Sequence, residues 1–265
     1  MKKRLPFELV YQVFSLLIIM IIVHAAYVAV IRPNAEAELE QQAVQINIDK
    51  NYVPKRSVHV LVRDYEQEAC FILMFWALVI MAYKATNLFR ERVLLDKDIL
   101  HAKEGVKFLP QDAHELSRQI QSLPAEEHNY LLPRTLQIAL HRFSSTKNIQ
   151  DVSTAANTVC DSESERLDSE LSIIRYITWA IPSIGFLGTV RGIGDALGQA
   201  HKAVEGNIAG VTESLGVAFN STLIALCISI ILMFIVHQLQ LMQERFILDT
   251  QNYCNDNLIR HLQVP

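Results

Sequence analysis

Ser172–Leu197 reads SIIRYITWAIPSIGFLGTVRGIGDAL, and its reading decides the class of the fold. As a helix rising about 1.5 Å per residue, it is long enough to cross a hydrocarbon core of about 30 Å. Charge is confined to Arg175 near its start and to Arg191 and Asp195 near its end, while Gly, Thr, Ser and Pro interrupt the middle. A soluble surface helix would carry one charged face along its whole length. Three further runs are also long enough to cross. Thr212–His237 is equally rich in Gly, Ala, Ser and Thr, whereas Leu9–Ile31 and Ala69–Phe89 consist mainly of large aliphatic and aromatic residues. The 265 residues are 51% hydrophobic with mean hydropathy +0.19, which a soluble domain can reach, so clustering carries the assignment. We expect an all-α integral membrane protein with four transmembrane helices.

The net charge of −4 leaves no basic face for nucleic acid. Cys70, Cys160, Cys227 and Cys254 form no CxxC pair and support neither a disulfide framework nor a metal site. No His/Asp/Ser constellation points to an enzyme, and no cofactor is expected. Met1-Lys2-Lys3-Arg4 ahead of an apolar run is reminiscent of a signal peptide, but Leu9–Ile31 is too long for a signal h-region and reads as a retained anchor.

Lys and Arg near the helix ends set the expected orientation. Lys2, Lys3 and Arg4 precede helix one, and Lys84, Arg90, Arg92, Lys97, Lys103 and Lys107 end or follow helix two. Both sets belong in the cytoplasm. The intervening loop carries five basic and seven acidic residues and faces outward. The expected organisation is an N-terminal transmembrane hairpin at 1–89, with helices at about 9–31 and 69–89 and an external loop at 32–68. A cytoplasmic helical segment follows at 90–171, between helices two and three, punctuated by Pro110, Pro124 and Pro133. A second hairpin occupies 172–237, and 238–265 is a cytoplasmic tail. The acid-rich Asp151–Glu170 stretch reads first as a solvated helix face.

Thr178, Pro182, Gly185, Thr189, Gly192 and Ala196 recur at spacings of four and three, and so share one face of helix three. Ser214, Ala218, Thr222, Ala225 and Ser229 do the same on helix four. Such a stripe serves either close helix packing, for which Gly185, Gly188 and Gly192 and the Pro182 irregularity are suited, or a narrow aqueous path. Thr189 lies 17 residues before Gly206 and Thr222 lies 16 after it, so an antiparallel hairpin puts the two hydroxyls level. Each threonine has the alternative of bonding its own helix carbonyl four residues back. Arg191 and Asp195, four apart near the outer end, are expected to pair, and Glu213 to lie at the interface. Neither helix has an acid in its middle. Threonine does not titrate, so a proton path would need a carboxylate from another polypeptide.

Ile181-Pro182-Ser183-Ile184-Gly185-Phe186-Leu187-Gly188-Thr189-Val190-Arg191-Gly192-Ile193 resembles the P-x-x-G-h-h-G-T-h-x-G-h signature of the MotA/TolQ/ExbB proton-channel family. Leu215–Leu226, around Thr222, is similar to that family's small-residue segment on the last helix. The resemblance covers about Ser172–Gln240. It implies a homo-oligomeric ring, a pentamer, around single-span ExbD/TolR/MotB-like partners that bring the titratable aspartate. It also implies residence in the bacterial inner membrane with cytoplasmic termini, and transport of H+ or else Na+. Thr189 and Thr222 fall on the family's two pore threonines, with Thr178, Ala218, Ala225 and Ser229 on the same lining. Val217 stands where ExbB-like members carry an acid, Arg191 replaces a bulky apolar residue, and the first external loop is longer than in MotA proper, so the resemblance favours an ExbB/TolQ-like branch. The expected function is a motor subunit that couples the ion gradient to mechanical work. The rivals are a non-conducting scaffold and a solute transporter, the latter lacking the repeat-related broken helices such proteins show.

Overall fold

The computed structural model describes residues 7–48, 57–100 and 107–264. Lys2, Lys3, Arg4 and Lys103, which enter the expected orientation, lie outside them. The described residues form helices α1 Phe7–Ala26, α2 Arg32–Ile48, α3 Val58–Leu61, α4 Tyr65–Arg92, α5 Ala113–Gln121, α6 Leu131–Thr146, α7 Ile149–Glu170, α8 Ser172–Gly198, α9 Ala200–Val204 and α10 Ala209–Asn257. Among the described residues four helical stretches, within Leu9–Gln45, Tyr65–Asp96, Ile149–Gly198 and Ala209–His261, are long and apolar enough to cross a membrane. The protein is an all-α, multi-pass membrane protein.

Contacts divide the chain into two compact units, Met1–Met81 with Ile173–Val236, and Ala82–Ser172 with His237–Pro265. In the first, α1 passes into α2 through a π-helical turn at Tyr27–Ile31, in which the Arg32 N–H bonds the Tyr27 carbonyl. The turn directly precedes Pro33, which lacks an N–H and whose ring would clash with a regular i−4 carbonyl; the wider turn shifts that register. Arg32–Ile48 is therefore helical, where the sequence reading placed a loop. Its PNAEAELEQQA composition explains this, since Ala, Glu and Gln are strong helix formers without being apolar. Leu9, Phe14, Ile18, Ile21 and Ile22 stay exposed on α1, as expected of side chains solvated by lipid. The contact of α1 and α2 with α4 is polar: Glu68 of α4, buried, accepts from Arg32 of α2 and has His24 Nδ1 of α1 at 2.7 Å.

The second unit has a core like that of a soluble helical domain. Ile120 of α5, Leu136, Leu140 and Phe143 of α6, Val152 of α7, Cys254 of α10 and Leu258 just beyond α10 are all buried together. Pro133 sits in the first turn of α6, where its missing N–H costs nothing. The Leu131 N–H there is taken by Glu91 at 3.1 Å. Lys147 ends α6 in the left-handed conformation (φ 54), and Asn148 caps α7 by accepting from the Gln150 N–H at 2.9 Å. A tight helix–turn–helix results. Only Leu171 separates α7 from α8.

Candidate functional site

Pro182 lies inside α8 and cannot donate to the Thr178 carbonyl. In a membrane no solvent takes over such an acceptor. The Ser229 hydroxyl of α10 does so at 3.0 Å, while the Thr178 hydroxyl turns back to the Arg175 carbonyl at 2.7 Å. The proline thus converts a backbone defect into a bond between the two helices.

One turn further along, the backbones come into close approach. A Cβ built on Gly185 would stand 2.5 Å from Ala225 Cβ; on Gly188, 2.7 Å from Ser221 Cβ; on Gly192, 2.7 Å from the Ser214 carbonyl oxygen and 2.8 Å from Ala218 Cβ. Only glycine fits at these three positions unless the helices part. Ala218 and Ala225 are fully buried beneath α8, and Thr178, Ser229 and Ala196 are buried as well. The small-residue stripes of the two helices therefore face one another within a single chain.

At this level Thr189 and Thr222, each half-buried, bring their hydroxyls together in one hydrogen bond. Thr189 also reaches the Gly185 carbonyl of its own helix and the Ala218 carbonyl of α10, both at 3.3 Å. Thr222 donates across to the Gly185 carbonyl at 3.0 Å. Each hydroxyl holds a single proton, so these acceptors compete for two donors. The pair is a short, non-titrating chain of exchangeable hydrogen bonds. Back-bonding, the alternative use of these threonines, occurs for Thr189 alongside the cross-helix contacts.

Arg191 does not pair with Asp195. Its guanidinium meets both carboxylate oxygens of Glu66 on α4, each at 2.8 Å. Its planar fork engages both Glu66 oxygens at once, a bidentate geometry that wins over a local contact one helical turn away. Asp195 is exposed, and Glu213 lies 3.5 Å from Arg63. Glu66 also flanks Gly188, its Cγ 3.2 Å from the position a Cβ would take there. Sequence reasoning missed Glu66, because nothing local marks a partner 125 residues away. It missed Ser221 too, which is buried against Gly188 with its hydroxyl on the Val217 and Ala218 carbonyls at 3.0 Å. Its position three residues beyond Ala218 was the available signal.

Fold and site together define a polytopic helical membrane protein whose last two spans are clamped through small residues and hydroxyls. Residues 127–252 match the MotA/TolQ/ExbB proton channel family, so this segment of the chain is similar to that family. The matched segment takes in α6 and α7 as well as the hairpin. No curated protein and no solved structure matches the chain.

Proposed function

We propose that this chain is a subunit of a proton-conducting motor of the bacterial inner membrane. It forms a homo-oligomeric ring, a pentamer, and couples the ion gradient to mechanical work in a single-span ExbD/TolR/MotB-like partner. The partner supplies the titratable aspartate, and the ring supplies Thr189 and Thr222. The observation carrying this reading is the hydroxyl pair itself, set level on two helices of a segment similar to a proton-channel family and away from any carboxylate of its own helices. Each charge falling through about 100 mV releases about 2.3 kcal/mol, so a few protons can drive a rotation or a pull. Thr178, Ala218, Ala225 and Ser229 hold the two helices at the spacing that keeps the pair level. H+ is the proposed ion, with Na+ distinguished by the assay.

The test replaces Thr189 or Thr222 by Val, which keeps size and branching and removes the hydroxyl. Co-expressed with the partner, each variant should lose about tenfold or more in proton flux, the effect of roughly 1.4 kcal/mol in a barrier. The double variant should cost little beyond the worse single one, as expected for two groups serving one path. The purified chain alone, in liposomes holding a pH-sensitive dye, should be proton-tight. Full flux in the assembled double variant would reduce the threonines to packing residues and favour the scaffold reading. Strong flux from the chain alone would remove the need for a partner's carboxylate.

A further inference from the structure

Charge is sharply segregated in the second unit. Between Leu131 and Gln150 there are Arg134, His141, Arg142 and Lys147 and no acid, while Asp151–Glu170 holds six acids and one base. Part of this charge is used internally. Glu163, buried, takes Arg134 at 2.8 Å and Arg166, and Glu170 takes Arg166 and also Lys84 at 2.8 Å. What remains outward falls into two patches of opposite sign.

The basic patch is a groove between α5 and α6. Two open clefts lie along it, of about 470 and about 340 Å³. The first is lined by Gln137, His141 and Arg142 and the second by His114, Ser144 and Lys147, and no carboxylate among the described residues lines either. The acidic patch is on α7, where Thr158, Asp161 and Glu165 follow at spacings of three and four and are exposed on one face.

We infer that these patches are the two halves of one contact between neighbouring copies of the chain, the α7 acids of one copy seating in the α5–α6 groove of the next. The inference rests on the proposed homo-oligomer. Two different patches can pair reciprocally across a two-fold axis or head to tail, and the proposed ring requires the second. A head-to-tail contact with the right rotation closes a ring. Charge complementarity of exposed groups acts mainly on orientation and partner choice, and here it fixes the order in which copies follow one another.

The test co-expresses two differently tagged full-length chains, both carrying Cys227→Ala, one with Gln137→Cys and the other with Thr158→Cys. Cys70, Cys160 and Cys254 are buried, so a bismaleimide reads the introduced pair. A cross-linked dimer bearing both tags is expected, weakening as salt rises and the Debye length drops below about 8 Å. Arg142→Glu with Lys147→Glu should cut its yield at least about tenfold, and so should Asp161→Arg with Glu165→Arg. Chains carrying all four reversals should recover the cross-link, which also shows that the reversals do not unfold the unit. If native mass spectrometry shows the wild-type ring but no mixed-tag dimer forms, or if reversal leaves the yield unchanged, this contact is wrong and the ring stands. A folded monomer in place of the ring overturns the homo-oligomer and this contact with it.

Discussion

Ser229 and Pro182 show how a single side chain repairs a backbone defect. The Thr178 carbonyl, left without its α-helical donor, is buried between two helices and accepts from Ser229. Ser229→Ala should therefore lower stability in detergent by about 0.5–1.5 kcal/mol, the range of polar contacts between membrane helices. In a Pro182→Ala background the new N–H returns to the Thr178 carbonyl, and the same serine substitution should cost close to nothing. Thermal unfolding of the four proteins gives the coupling as a double-mutant cycle. An equal cost in both backgrounds would show that Ser229 acts independently of the proline. The threonine pair obeys the same logic of shared acceptors, with Gly185 offering its carbonyl to both Thr189 and Thr222.

Among the elements, α8 and α10 carry glycines of two kinds. A Cβ on Gly192 meets backbone and Ala218 within 2.8 Å, whereas a Cβ on Gly194 meets nothing within 4 Å. Gly192→Ala should destabilise the hairpin by about 1–3 kcal/mol through overpacking. Gly194→Ala should stabilise it by about 0.5–1 kcal/mol, since glycine is a poor helix former. Matching melting shifts for the two variants would mean that the close approach at Gly192 is absent. The spacing of small residues left close packing and an aqueous path as equal readings, while the level depth of Thr189 and Thr222 followed from counting residues about Gly206. Other features were not legible. The stretch after His237 reads as a polar tail, yet α10 continues to Asn257 because Phe246, Ile247 and Cys254 bury one side of it. That side is recognisable only with its partners, Leu88 and Cys160 among them, in place. The helix in Arg32–Ile48 was overlooked because a search for apolar runs is blind to helices made of Ala, Glu and Gln. Arg191 was given the wrong carboxylate because local spacing always offers a neighbour and never names a distant one.

At the scale of the whole molecule the open property is orientation, and the sequence and the helices make a definite prediction. Basic residues cluster where α4 ends, at Lys84, Arg90, Arg92 and Lys97, and again before α1, at Lys2, Lys3 and Arg4. A cluster of Lys and Arg near a helix end holds that end in the cytoplasm. Both ends must lie on one side if the two apolar helices between them each cross once, so the charge pattern and the count of four spans agree. The segment between α1 and α4 then lies outside, as does the turn at Gly206, where a φ of 94 is open to glycine. Reporter fusions at Gln45 and Gly206 should give the external signal, and fusions at Gln119 and Gln251 the cytoplasmic one. The Gln45 fusion is the most discriminating, because α2 extends the first apolar helix as a polar one and must emerge from the bilayer to be solvated. Pairing Lys2→Glu, Lys3→Glu and Arg4→Glu with the same reporters should raise the fraction of inverted chains. A cytoplasmic reading at Gln45 in the unaltered chain would overturn the assignment and place the Glu66–Arg191 pair on the inner side.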